Sequence, residues 1–315
     1  MRTRKSLRSG RTGAFTSWAC FLLLGLSACQ VPGDSPGNVA SGKAGAITLI
    51  NRSLNSGDCS SAITRVEALY NSPESDHQVR RLRAASHGCR AGLGFFEKLE
   101  ALANADLMTN GPWRELTLMF PSSLGDNRAE STFFASDALQ AWLEPDVVVF
   151  NPYRLSFDPY NPGSLRTADL QLDANIYLVL VSMATIGTLH NRYGAPNGVG
   201  APTTTLPWST LSRMDEEGCG YVSAILNLKD SLLEVGASIS QLSNSLTSIV
   251  TASMGFDAAC QAGCAACGLS CSACPATLRH RSVCTRDLPT TLDVEACAAA
   301  GLVANVMNDV TVGWR

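Results

Sequence analysis

The chain has 315 residues, 24 basic and 27 acidic, for a formal net charge of -3, with 45% hydrophobic and only 7% aromatic residues. Its first 28 residues hold five basic and no acidic side chains, so the 287 that follow carry a formal charge of -8. An acidic body of that length excludes a nucleic-acid footprint, which needs a basic face, and is long enough for one large or two ordinary domains with a buried core.

Arg2, Arg4, Lys5, Arg8 and Arg11 precede an apolar run over residues 14–26 that closes on Leu26-Ser27-Ala28-Cys29. A basic start, a short apolar centre and small residues before a cut are the layout of an export signal, and the run is too short to span a bilayer as a helix. The last four residues resemble the lipobox of bacterial lipoproteins. That resemblance implies that residues 1–28 are a lipoprotein signal peptide and that Cys29 is the first residue of the mature chain, lipidated with palmitate-type acyl chains. Acyl chains hold a protein to a leaflet at about 0.8 kcal/mol per buried CH2. Gln30 stands where an Asp would retain such a protein at the inner membrane, so the resemblance implies the outer membrane, facing the periplasm. Residues 29–45, rich in Gly, Pro, Ser and Asn without apolar periodicity, predict a flexible tether.

From Ala46 onward apolar residues recur at helical spacing: Ile47, Ile50 and Leu54, a Gly57-Asp58 break, then Ile63, Val66, Leu69 and Tyr70 up to Ser72-Pro73. Val79, Leu82, Ala85 and Cys89 follow, then a Gly92 break and Phe95, Phe96, Leu99 and Leu102, which predicts two helical hairpins. Gly57 and Gly92 lie 35 residues apart, and Ala68-Leu69 and Ala101-Leu102 lie 33 apart, a period in the range of helical repeats. The string Gly57-Asp58-Cys59-Ser60-Ser61-Ala62-Ile63, with Glu67-Ala68-Leu69 and Pro73, resembles the turn and second helix of a tetratricopeptide repeat. The resemblance covers roughly residues 46–105; it departs where Cys59 replaces the usual aromatic and where the first helix lacks Trp and Gly. It implies a scaffold similar to periplasmic helical-repeat lipoproteins, including those associated with envelope solute transport. The plainer reading is any antiparallel helix pair with a Gly turn.

A helix starting at Cys59 and a second ending at Cys89, joined by a short Pro-containing turn, would run about 16 Å and about 20 Å at 1.5 Å per residue. Cys89 then returns beside Cys59, and a disulfide there would close a loop of about 30 residues and stabilise the hairpin by roughly 3 to 4 kcal/mol. A third unit centres on Leu124-Gly125-Asp126, with Phe133, Phe134, Ala138, Leu139 and Trp142 on the following helix. Residues 144–164 hold Pro145, Pro152, Pro159 and Pro162 and read as a long crossover, with the best strand signal of the chain at Val147 to Phe150. Ile176, Tyr177, Val179, Leu180, Val181, Met183, Ala184, Ile186 and Leu189 are apolar on nearly all sides and predict a central buried helix ending at residues 190–194. A Gly, Pro and Thr loop after it marks the boundary between a helical-repeat-like domain over 46–194 and a second unit over 206–315.

That second unit opens with Cys219 and a seam of Ile225, Leu228, Leu232, Val235, Ile239, Leu242, Leu246 and Ile249 at alternating spacings of three and four. Such a stripe packs against another helix at a shallow angle, within the chain or, with its neutral polar outer face, as a homo-oligomer contact. Cys260, Cys264, Cys267, Cys271 and Cys274 continue at spacings of four, three, four and three, so on one helix all five thiols face one side. In a reducing compartment this would read as a metal or redox site. Beyond an export signal free thiols oxidise, and ten cysteines follow Cys29: Cys59, Cys89, Cys219, Cys260, Cys264, Cys267, Cys271, Cys274, Cys284 and Cys297. Disulfides are therefore expected. Cβ atoms one helical turn apart stand wider than a disulfide tolerates, so most members need partners elsewhere, from Cys219, Cys284 and Cys297, with Cys271 and Cys274 left to pair locally and Cys297 stapling a final helix over residues 294–310.

His77, His87, His190 and His280 have no second ligand at metal spacing and read as surface or turn residues, and Glu216-Glu217 as loop charges. No nucleophile elbow, phosphate loop, dinucleotide fingerprint or zincin helix occurs, so no catalytic residue, metal or cofactor is assigned. The expected fold is all-α, tetratricopeptide-like helical hairpins packed on a disulfide-stapled helical bundle. The expected role is a lipid-anchored, non-catalytic scaffold or binding protein with the membrane and a protein as partners.

Overall fold

The structure, a computed structural model, describes residues 42–94, 97–98, 101, 112–123, 126–143, 168–194, 196–200, 216–236, 255–281, 294 and 297–302. Regular structure among them is helical, with no strand. In chain order the helices are α1 (Lys43–Asn55), α2 (Cys59–Tyr70), α3 (His77–Arg90), α4 (Pro112–Met119), α5 (Arg128–Leu143), α6 (Ala168–Gly194), α7 (Glu216–Gly236) and α8 (Phe256–Ala266), with a 3-10 turn at Ala276–Arg279. The tether as far as residue 41, the 144–164 stretch with its strand signal, the C-terminal half of the seam, and Cys29 and Cys284 lie outside the described residues. The tether's expected end at residue 45 is corrected, since Lys43, Ala44 and Gly45 form the first turn of α1, where Lys43 pairs with Asp76 at 2.6 Å.

Local chemistry sets the first three helices. Gly57 takes φ 73°, a left-handed turn that a side chain disfavours, and closes α1. Asp58 then caps α2 by accepting from the Ser61 amide at 3.1 Å, and Asp76 caps α3 by accepting from Val79 N at 3.0 Å. α1 packs on α2 and α2 on α3, so the first expected helical hairpin is present; Phe95, Phe96, Leu99 and Leu102 of the second lie outside the described residues, and the tetratricopeptide likeness rests on the sequence string alone. Ile50, Ala62, Val66, Leu69, Tyr70 and Val79 form a small core between these helices.

A second, larger core begins at Ala84, further along α3, and takes in α4 to α8 and the helical residues 297–302. Its axis is α6, in contact with α4, α5 and α7. By length and composition Leu172–Gly194 could cross a membrane, yet 83% of that apolar window is buried inside the protein, which makes α6 the expected central helix. Val181, Met183, Ala184, Ile186 and Leu189 share this core with Tyr221, Val222 and Ile225. The segments 46–194 and 206–315 thus meet in one hydrophobic cluster. Ile225, Leu228, Leu232 and Val235 are buried within the chain, so this half of the seam is taken up internally and offers no face to a second copy.

Candidate functional site

The cysteines converge after α7. On α8, Cys260 and Cys264 sit one turn apart and are fully buried. The helix ends at Ala266, and Gly268 at φ 73° reverses the chain. The returning segment brings Cys271 back to Cys264 and Cys274 back to Cys260, with sulfurs 2.24 and 2.04 Å apart. The ladder is therefore folded over, and the one-sided helix of five thiols is corrected: a left-handed glycine between Cys267 and Cys271 ends it. The expected local pair of Cys271 with Cys274 is corrected with it, since nested pairing across the reversal gives each a buried partner.

Cys267 pairs with Cys297, sulfurs 2.14 Å apart, which staples residues 297–302 to the end of α8. The two run very close there: a Cβ added to Gly263 would stand 2.2 Å from the Cys297 carbonyl oxygen and 2.6 Å from Gly301 Cα. Asp257 helps fix the reversal, accepting from the Cys274 amide at 3.0 Å and from Lys229 Nζ at 3.3 Å. The pair expected from hairpin geometry, Cys59 and Cys89, has its sulfurs 1.94 Å apart. Cys219 is also disulfide-bonded, and its partner lies outside the described residues.

Three polar clusters hold the helices together. At the end of α6, Arg192 sits among Asp126 (3.5 Å), Glu130 (3.0 Å) and Glu217, and Tyr193 donates to Glu217. Burial opposes its charge, but the hydrogen bond to Glu130 and the charges of Glu130 and Glu217 outweigh it and raise its pKa. Glu217 is thus no loop charge: it lies in the first turn of α7, where a carboxylate suits the helix dipole, and it ties α7 to α6. Second, the Arg279 carbonyl accepts from Gln140, from Ser223 at 2.6 Å and from Asn227 at 3.0 Å, which fastens the 3-10 turn onto α5 and α7.

The third cluster joins α2 to α3. Glu67 Oε1 accepts from Arg83 Nε and His87 Nε2, both at 2.7 Å. Burial alone would raise the Glu67 carboxyl; the His87 hydrogen bond and the Arg83 charge prevail and lower it to about 2. Arg83 also lies 4.0 Å from the Tyr70 ring centroid and donates to the Phe134 carbonyl of α5 at 3.4 Å. The surface reading of the histidines is corrected at three positions. His87, His190 and His280 are 2%, 0% and 1% exposed, because each falls on the inward stripe of its segment, and His190 Nε2 is 2.9 Å from the Tyr221 hydroxyl. His77 is half-buried.

The chain matches no known protein family, no characterised protein and no solved structure. Paired sulfurs are not thiolates and ligate no metal, and among the described residues no group of three or more His, Cys, Asp or Glu is placed to hold one. Arg83, His87, Arg192 and His190 are each engaged by a group on another helix. Sequence reasoning missed Arg192 and Glu67 as organising residues; the available signal was a charged residue on an otherwise apolar stripe.

Proposed function

We propose that this chain is a lipid-anchored scaffold or binding protein of the bacterial cell envelope, acylated on Cys29 and held by a tether at the outer membrane on its periplasmic side, with a protein partner. The observation that carries this reading is the conjunction of the Leu26-Ser27-Ala28-Cys29 lipobox with a body whose cysteines stand in disulfide pairs. The two signs are independent, since one is a short signal at the start of the chain and the other an internal arrangement that persists only in an oxidising compartment. A scaffold role is supported by helical hairpins beside a cross-linked bundle, and by polar clusters spent on joining helices. In this reading the hairpins of residues 46–105 are tetratricopeptide-like and present the binding surface.

The test is detergent-phase partitioning of the full chain from cells. Wild type is expected in the detergent phase, and Cys29→Ala is expected either in the aqueous phase or as the longer, uncleaved precursor. Unchanged partitioning and length in Cys29→Ala overturns the anchor. Crosslinking in intact cells then tests the scaffold role: a reproducible protein partner supports it, and turnover of an ester, peptide or glycan by the purified chain overturns the non-catalytic reading.

A further inference from the structure

We infer that the α1–α2 pair is an acid-sensitive flap, latched onto α3 by His87 in its neutral form and kept attached when open by the Cys59–Cys89 disulfide. Three observations carry this. First, the small core of α1, α2 and the start of α3 is separate from the main core, which takes over from Ala84 onward. The first two helices are therefore a satellite able to loosen from α3 without disturbing α6, with the disulfide and the turn at residues 71–76 holding the two ends of α2 in place. Second, the polar tie between α2 and α3 is the Glu67 carboxylate, bridging Arg83 and His87 at 2.7 Å each, while α1 reaches the start of α3 through Lys43, paired with Asp76 at 2.6 Å on the solvent side. Third, His87 is 2% exposed, and its Nδ1 is buried without a hydrogen-bond partner.

That third point gives the latch its direction. With Nε2–H donating to Glu67, Nδ1 is the lone-pair nitrogen of a neutral imidazole. Protonation there would place an N–H and a positive charge in a buried spot with no acceptor. The charged groups acting on His87 are Glu67 from α2 and Arg83 and Arg90 from its own helix. From α5 comes the Phe134 ring, 5.0 Å away. α6 contributes the Tyr177 phenol, packed against Gly88. Burial first, and then the two guanidinium groups, hold the imidazole below its ordinary 6.5 despite Glu67.

The sign follows. A histidine whose pKa is lowered in the closed form binds its proton more readily in the open form, so closure weakens as pH falls below 6.5. Glu67, held at about 2 against an ordinary 4.5, adds its own loss only below 4.5. Between neutral pH and about pH 5 the change therefore belongs to histidine: to His87, and to the half-buried His77 at the start of α3, which burial also lowers despite Asp76 beside it. Opening would uncover Val66, Tyr70 and Val79.

The experiment is amide hydrogen exchange of the full chain, disulfides intact, at about pH 7.5 and about pH 5, with each rate normalised to the intrinsic exchange of its peptide. Expected is a loss of protection of several-fold to about tenfold over residues 43–70 at the lower pH, with residues 175–190 of α6 unchanged. His87→Gln, which keeps an N–H for Glu67 but does not titrate, should remove most of the difference, His77→Gln added to it should remove the rest, and Glu67→Gln should raise exchange at both pH values. Equal protection at both pH values, a loss shared by α6, or a pH effect undiminished in His87→Gln overturns the flap. Proton NMR titration of His87 in the wild type needs no variant: a midpoint below 6.5 is expected, and one at or above it overturns the latch.

Discussion

Arg192 shows how one side chain can set the character of an interface. Its guanidinium is 5% exposed and meets three carboxylates carried by α7, by α5 and by the turn before α5. Arg192→Met would leave Asp126, Glu130 and Glu217 facing one another without a cation. The expected cost is about 3 kcal/mol, the lower edge for breaking a buried pair, because Glu130 at 37% exposure is partly screened by solvent. The pH dependence should also change. In the wild type the Asp126 pKa is lowered despite burial, so its contribution is present above the ordinary 3.8 and is lost as pH falls below that value. The Ser123 and Arg128 amides and the Ser122 hydroxyl lower Asp126 first and the Arg192 charge adds to them, so without the cation denaturant titrations should show the variant closing part of its gap to the wild type as pH falls below 3.8. Gly263 makes the same kind of point sterically. An added Cβ would meet backbone of residues 297–301, which cannot rotate away, so Gly263→Ala should cost about 1 to 3 kcal/mol and lower the calorimetric Tm.

Helices and their covalent staples behave as units, and their predictions concern pairings. Nonreducing peptide mapping should recover Cys59 with Cys89, Cys260 with Cys274, Cys264 with Cys271 and Cys267 with Cys297. By count, Cys284 remains among the ten that follow Cys29, so the Cys219 peptide is expected joined to it. A Cys219 peptide recovered as a free thiol would contradict that assignment. Replacing Cys59 and Cys89 together with Ser should cost about 3 to 4 kcal/mol in the chain-entropy account, because a separation of 30 residues is released in the unfolded chain. The loss should be read first in α1 and α2, whose small core has little else to stabilise it. Spacing alone predicted the wrong partners within the ladder, for a definable reason. Periods of three and four residues describe a helix only while the backbone remains one, and here Gly268 ends it, so residues expected side by side instead face each other.

For the whole molecule, intact mass before and after reduction should differ by about two hydrogens for every bridge, so closure of all ten cysteines predicts about ten. Stoichiometric metal with free thiols in residues 260–274 would return the ladder to metal chemistry. Helical class, the breaks at Gly57 and Ser72-Pro73, the apolar core helix and the Cys59 to Cys89 bond were all legible in the sequence, because each depends on residues close along the chain or on one rigid hairpin. What lay beyond it were the joins: Arg192 with Glu130 and Glu217, His190 with Tyr221, Glu67 with His87, and the folding back of the ladder. Those depend on which helix faces meet. A periodic pattern states that a face is buried but not against what, and a buried charge or thiol acquires its meaning only from the group that arrives opposite it, which tertiary packing alone decides.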